Sequence, residues 1–160
     1  MNKVKLLKDY LDLLNEKKSK IDLNIKLALK DTHEAESAMQ SRYDTKREEA
    51  EAMVEWYSIQ SSKILEVINS VKKILFRIEN EKSVSNKVLL GSIVKYIDYD
   101  EDSEKAFFIV PWWDFEKKWD LYYLWINTPL WKQLIWKEAG EEYEIELPNE
   151  KKEIEILSII

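Results

Sequence analysis

Cysteine is absent from this 160-residue chain, and histidine occurs once, at His33. The first absence excludes a disulfide framework and thiolate metal sites, and the second excludes a histidine metal cluster. Glycine is nearly absent as well, with only Gly91 and Gly140, where an average protein carries roughly 7%. No glycine-rich phosphate loop, serine elbow or nucleophile with a base at recognisable spacing is present in the sequence. No apolar run approaches the roughly 20 residues of a membrane span, and residues 1–8 lack the apolar centre of a signal peptide. A cytoplasmic location is therefore expected. The net charge of −6 argues against sequence-independent binding of duplex nucleic acid through a broad basic face.

What remains is 45% apolar and 12% aromatic, enough to pack one or two small domains. Charge is unevenly spread. Residues 1–30 hold eight lysines against four acids, whereas residues 31–55 hold eight acids against Arg42, Lys46 and Arg47. A basic first element is thus followed by an acidic stretch.

Apolar residues recur at Val4, Leu7, Leu11, Leu14, Ile21, Ile25 and Ala28, in alternating steps of three and four broken only at Lys18. That is a coiled-coil seam. A second seam runs through Ala50, Met53, Tyr57, Ile64, Val67, Val71, Ile74 and Ile78, broken at Gln60. Folding the two helices antiparallel pairs Val4 with Ile74, Leu7 with Val71, Leu11 with Val67, Leu14 with Ile64, Ile21 with Tyr57, Ile25 with Met53 and Ala28 with Ala50. Lys18 then meets Gln60 in one polar layer, a device that fixes alignment at some cost in stability. The bend falls near Met39, where neither glycine nor proline marks a turn; Ser41 with Asp44 three residues on has the composition of a helix start. One long unbent helix is the alternative, and it leaves the seam exposed unless the protein dimerises.

After residue 80 a polar stretch, 81–86, reads as a hinge, and the periodicity changes to that of strands. Strands are expected at 88–99, 105–110, 121–126, 143–147 and 153–159, with Pro129 opening a short helix where its missing donor costs nothing. The expected organisation is an α+β chain. A coiled-coil hairpin spans 1–80, a linker 81–87, and a small antiparallel β-sheet domain with one short helix 88–160.

The most distinctive stretch starts at Asn127, with Thr128-Pro129-Leu130, Leu134-Ile135, Lys137, Gly140-Glu141-Glu142, Pro148-Asn149 and Ile154-Glu155-Ile156-Leu157. It resembles the C-terminal domain of the GreA/GreB transcription elongation factors, whose sheet is FKBP-like and follows a helical hairpin. Trp131 and Trp136 stand where that family has two glycines. Two explanations are open: a lineage that placed an aromatic patch here, or a source that reads UGA codons as glycine, which UGG codons at both positions would end.

The resemblance implies a monomeric factor that binds RNA polymerase through the C-terminal domain, with Pro129 and Leu130 among the contacts. The hairpin tip would enter the polymerase's secondary channel and touch nucleic acid only through that enzyme. It also implies that tip carboxylates help hold an Mg²⁺ ion of the polymerase active centre, so that the chain stimulates cleavage of backtracked transcripts without being an enzyme itself. The physics is sound, because two carboxylates alone bind Mg²⁺ poorly but can complete an existing two-metal site.

The candidates are Asp31 and Glu34, three apart and so on one helix face, with a salt bridge from Asp31 to Arg47 or a simple capping pattern as the structural rival. The run from Ser41 to Glu48 offers a second pair, Asp44 and Glu48, with Tyr43 able to stack or hydrogen-bond beside a partner. It looks like a segment of short proteins joining a helical N-terminus to a GreA/GreB-type domain. A non-cleaving, channel-occupying regulator, a coiled-coil adaptor and a peptidyl-prolyl isomerase-like module are the other readings.

Overall fold

The computed structural model describes residues 2–36, 42–80, 85–111, 121–148 and 150–160, with side chains described except those between 31 and 44 and that of Glu150. The element order is α1 (Lys3–Glu36), α2 (Arg42–Asn80), β1 (Ile93–Asp98), β2 (Ser103–Val110), β3 (Tyr122–Trp125), α3 (Pro129–Leu134), β4 (Glu142–Leu147) and β5 (Glu150–Ile159). The first two form a helical hairpin, and the rest a curled sheet with one short helix. Among the described residues no helix is long and apolar enough to cross a membrane. Two compact units divide the chain, Lys8–Ser70 and a second made of Met1–Leu7 with Val71–Ile160.

In the unit Lys8–Ser70 the seam is laid down much as periodicity dictates, since burying one stripe per helix is the only way two helices can shed apolar surface from water. Leu14, Ala28, Ala50, Ile64 and Val67 are buried. Tyr10 and Ile68 join them from flanking positions. The polar layer has a bonded flank: Ser61 Oγ donates to Asp22 Oδ1 at 2.7 Å, and Lys18 Nζ to Asp22 Oδ2 at 2.5 Å. In an antiparallel pair Asp22, four residues beyond Lys18, and Ser61, one beyond Gln60, lie on opposite sides of a Lys18–Gln60 layer, so the Ser61–Asp22 bond spans that layer.

Met53 departs from expectation. It is 55% exposed while Val54 is half-buried, so the stripe runs from Ala50 to Tyr57 through Val54. An α-helix drifts by about 20° per heptad against a strict 3.5-residue repeat, and here the drift exchanges one neighbour for the next.

In the second unit the strand order is β3-β2-β1-β5-β4. β1 pairs antiparallel with β2 and β5, and β4 with β5. The sheet is nevertheless mixed, not wholly antiparallel as expected, because β3 runs parallel to β2, with Phe107 opposite Tyr122 and Val110 opposite Trp125. Alternating polarity marks a strand and its faces but carries no direction, which depends on the connection.

The first strand also begins later than expected, at Ile93. Before it the chain turns at Gly91, whose φ is +86° and whose N–H donates to the Ile109 carbonyl at 2.9 Å. A Cβ there would lie 2.5 Å from Ile74 Cγ2 of α2. Only glycine combines that dihedral with that approach. Arg77 of α2 secures the same turn by donating to the Leu90 carbonyl at 3.0 Å.

Candidate functional site: the pocket under α3

One face of the sheet carries Val94, Tyr96 and Asp98 of β1, Lys105 and Phe107 of β2, and Ile154 and Ile156 of β5, as the pairing register requires. Its core of Val94, Tyr96, Ile109, Leu124, Ile145, Ile154 and Ile156 is closed from above by Trp131 and Leu134 of α3.

The helix itself is set by its cap. Thr128 Oγ1 accepts from the Trp131 N–H at 3.2 Å, and Pro129 occupies the first turn, where its lack of an N–H leaves nothing unsatisfied. The Thr128 hydroxyl then donates to the Trp125 carbonyl at 2.8 Å, tying the cap to β3. At the other end Ile135 N–H bonds the Trp131 carbonyl and Lys137 N–H the Leu134 carbonyl. The chain then reverses to pair with Val88, through Trp136 N–H to the Val88 carbonyl at 3.1 Å and Val88 N–H to the Lys137 carbonyl at 2.9 Å. To make both sets of bonds residue 136 takes φ +69°, the left-handed C-terminal position that glycine fills at least cost. The tryptophan there is 62% exposed, so burial of its ring does little to offset the strain. Trp131 differs: it is helical and buried.

Between α3 and the sheet lies a pocket of about 340 Å³. Its aromatic wall crosses three strands. Tyr96 stacks on Phe107 with centroids 5.3 Å apart, and Phe107 meets Tyr122 at 5.9 Å. Leu130, Ile145, Leu147 and Ile154 supply the aliphatic side.

One end is ionic. Asp98, fully buried, accepts from Lys152 Nζ at 3.0 Å and Lys105 Nζ at 3.1 Å, and the two ammonium groups reach Glu101 at 2.6 and 2.5 Å. Burial by itself pushes the Asp98 carboxyl up, but the bonds from Lys152 and Lys105 outweigh it and hold the group below the ordinary value. Both lysines are correspondingly raised. For Lys152 the bond to Glu101 is the main cause, and for Lys105 the bonds to Glu101 and Asp98 overcome desolvation. Two cations against two anions leave this end without net charge.

Of the residues singled out from sequence, Leu130 lines this pocket and Pro129 is exposed beside it. Glu48 is an exposed residue of α2. Asp31 and Glu34 fall within α1, and Tyr43 and Asp44 within α2, but their side chains, like that of His33 and the bend near Met39, lie outside the described residues. Arg47, the rival partner for Asp31, bonds Glu51 Oε1 at 2.8 Å. Sequence reasoning missed Tyr96, Asp98, Lys105 and Lys152. The available signal was Asp98, an acid at the inward phase of the alternation Val94, Tyr96, Asp98.

A helical hairpin followed by a curled five-stranded sheet with a capped short helix defines an α+β protein. Residues 82–160 match the family described as transcription elongation factor GreA/GreB, C-terminal. Curated relatives align over the same share of the chain. The transcription elongation factor GreA of a Nitratiruptor species is 35% identical over 82 residues, 51% of this chain and 49% of that protein. GreA of Agrobacterium fabrum is 35% identical over 82 residues, 51% of each. By its C-terminal domain the chain belongs to the GreA/GreB family. The alignment spans about half the length of these curated relatives. Among solved structures, Gfh1 of Thermus aquaticus aligns over 92% of both chains at 19% identity and a TM-score of 0.41, a likeness too low to carry any argument.

Proposed function

We propose that the chain is an RNA polymerase-binding elongation factor that docks through its C-terminal domain and acts through the enzyme's secondary channel, in the cytoplasm and as a monomer. The observation that supports this most is the family match over residues 82–160, with Pro129 exposed and Leu130 half-buried at the start of α3. Capture of core RNA polymerase by the immobilised full chain tests it. Binding is expected, with a loss of about tenfold for Pro129→Ala combined with Leu130→Lys, in line with truncation of an interface anchor. Failure of the wild-type chain to capture polymerase overturns it.

Transcript cleavage is the finer part of the proposal. Asp31 and Glu34 stand three apart on helix α1, a spacing that puts two carboxylates on one face, as sharing an Mg²⁺ ion with polymerase requires. The ion would supply an activated water and charge stabilisation at the scissile phosphate, and the chain no catalytic group beyond those carboxylates. On a backtracked complex the wild type should shorten the RNA and the Asp31→Ala, Glu34→Ala double variant should not. Polymerase binding without shortening by the wild type would make the chain a channel-occupying regulator.

A further inference from the structure

Among the described residues, Ser103 Oγ is the one buried side-chain polar atom without a hydrogen-bond partner. A hydroxyl shut off from water and left unbonded is costly. Ser103 pairs with Asp98 across β1 and β2, and Lys105 and Phe107 follow it at the same phase of β2, so the register puts it on the pocket face of the sheet. An unused donor therefore stands at the ionic end of the pocket under α3.

The two carboxylates at that end are held differently. Asp98 is fully buried and accepts from the Glu101 N–H at 3.3 Å in addition to Lys105 and Lys152. The Glu101 side chain is 49% exposed and belongs to the turn between β1 and β2. Ion pairs that open to water contribute little, so Glu101 can be displaced where Asp98 cannot. Exchanging it for another monoanion keeps two ammonium groups against two negative charges. A carboxylate, with two oxygens and about four lone-pair sites, can accept from both lysines and from the Ser103 hydroxyl together. Beside this end runs the wall of Tyr96, Phe107 and Tyr122, which suits a flat ring. The cavity of about 340 Å³, at the lower end of the roughly 300 to 1,000 Å³ of ligand pockets, suits one ring with a short acidic arm.

We propose that this pocket is a binding site for a small aromatic carboxylate, its ring on the Tyr96–Phe107–Tyr122 wall and its acid group replacing Glu101 between Lys105 and Lys152 while accepting from the Ser103 hydroxyl. Glu101 is then an intramolecular stand-in for the ligand's acid group. Leu130 lines the pocket and belongs also to the polymerase reading; the inference is otherwise independent of it.

The test is a titration of the isotopically labelled full chain, followed by NMR, with phenylacetate, with 2-phenylethanol as the same ring without the charge, and with acetate as the same charge without the ring. Saturable shifts at Phe107, Tyr122 and Lys152 are expected with phenylacetate, and binding about tenfold or more weaker with each of the other two, which lack the charge-assisted bonds or the ring burial. Glu101→Gln removes the competing carboxylate and should tighten phenylacetate about fivefold. Ser103→Ala should weaken it about fivefold, the value of one hydrogen bond, without lowering the melting temperature, because that hydroxyl bonds nothing in the free chain. Absence of saturable shifts with phenylacetate in both the wild type and Glu101→Gln overturns the inference. So does 2-phenylethanol or acetate binding as tightly as phenylacetate, weaker binding in Glu101→Gln, or unchanged affinity in Ser103→Ala.

Discussion

The hairpin unit and the sheet unit spend their apolar residues differently. In the hairpin one stripe per helix is covered, and Leu23, Leu27, Met53, Trp56 and Ile59 remain exposed. In the sheet unit Phe108 and Ile109, neighbours on β2 that point to opposite faces, are both fully buried. A pair of helices has one interior, whereas a sheet covered on both sides has two, so the same hydrophobic content yields a narrow periodic core in one region and a two-sided core in the other.

Core truncation should expose that contrast most strongly. Leu134→Ala, in α3 and fully buried, is expected to destabilise by about 3 kcal/mol. Met53→Ala, at an apolar but exposed position, should cost under about 0.5 kcal/mol. Urea unfolding of the two variants checks both, and equal losses would erase the distinction between the regions.

The ionic end of the pocket comes next. Asp98→Ala removes the buried carboxylate that Lys105 and Lys152 share while Glu101 still faces both, and should cost about 2–3 kcal/mol, somewhat less than the breaking of an isolated buried pair. The pH dependence has a definite sign. Because the Asp98 carboxyl is held below its ordinary value, its contribution is fully present above the ordinary carboxylate value of about 4 and is lost as pH falls through the folded-state value. Because both lysines are raised, theirs is present below the ordinary lysine value of about 10.4 and fades as pH rises through the folded-state values. Thermal unfolding of the wild type against Asp98→Ala between about pH 2 and 6, the range that brackets the ordinary carboxylate value, should show the gap closing on the acid side.

Trp136→Gly should raise stability by about 1 kcal/mol, the cost of holding an L-residue in the left-handed region less the extra unfolded-state entropy of glycine. A lowered melting temperature would show that the exposed ring contributes more than the backbone strain costs. The codon bears on the same point: UGA at this position, read as glycine, would place in the protein the residue its backbone favours.

The smallest effect belongs to the hairpin's polar layer. Asp22→Ala removes the bonds to Ser61 and Lys18 on a part-exposed flank and should cost about 0.5 kcal/mol. A loss above about 2 kcal/mol, beyond the range of exposed ion pairs, would mean that the layer dominates the alignment.

Much of this was legible in the residues. The seam at Leu14, Ile64 and Val67 follows from spacing alone, the Thr128-Pro129 start of α3 from cap chemistry, and the five strands from their alternation. Other features were not. Met53 and Val54 are equally apolar neighbours, and only the accumulated rotation of the helix chooses between them. The pairing of Tyr122 with Phe107 could be parallel or antiparallel on the same alternation. Asp98 could be seen to point inward, but its partners Lys105 and Lys152 stand 7 and 54 residues away, on strands whose neighbours only the sheet order establishes.

The amino-acid order by itself determined what is local: periodicity, caps, and the family resemblance carried by the stretch from Thr128 to Leu157. Tertiary structure decided what depends on distant segments meeting. That includes the direction of β3, the closing of α3 over an aromatic wall, and the balanced charges at one end of the pocket. The reason is physical: a repeat or a cap is fixed by bonds within a few residues, whereas a cavity and its electrostatics exist only once strands far apart in sequence share one face.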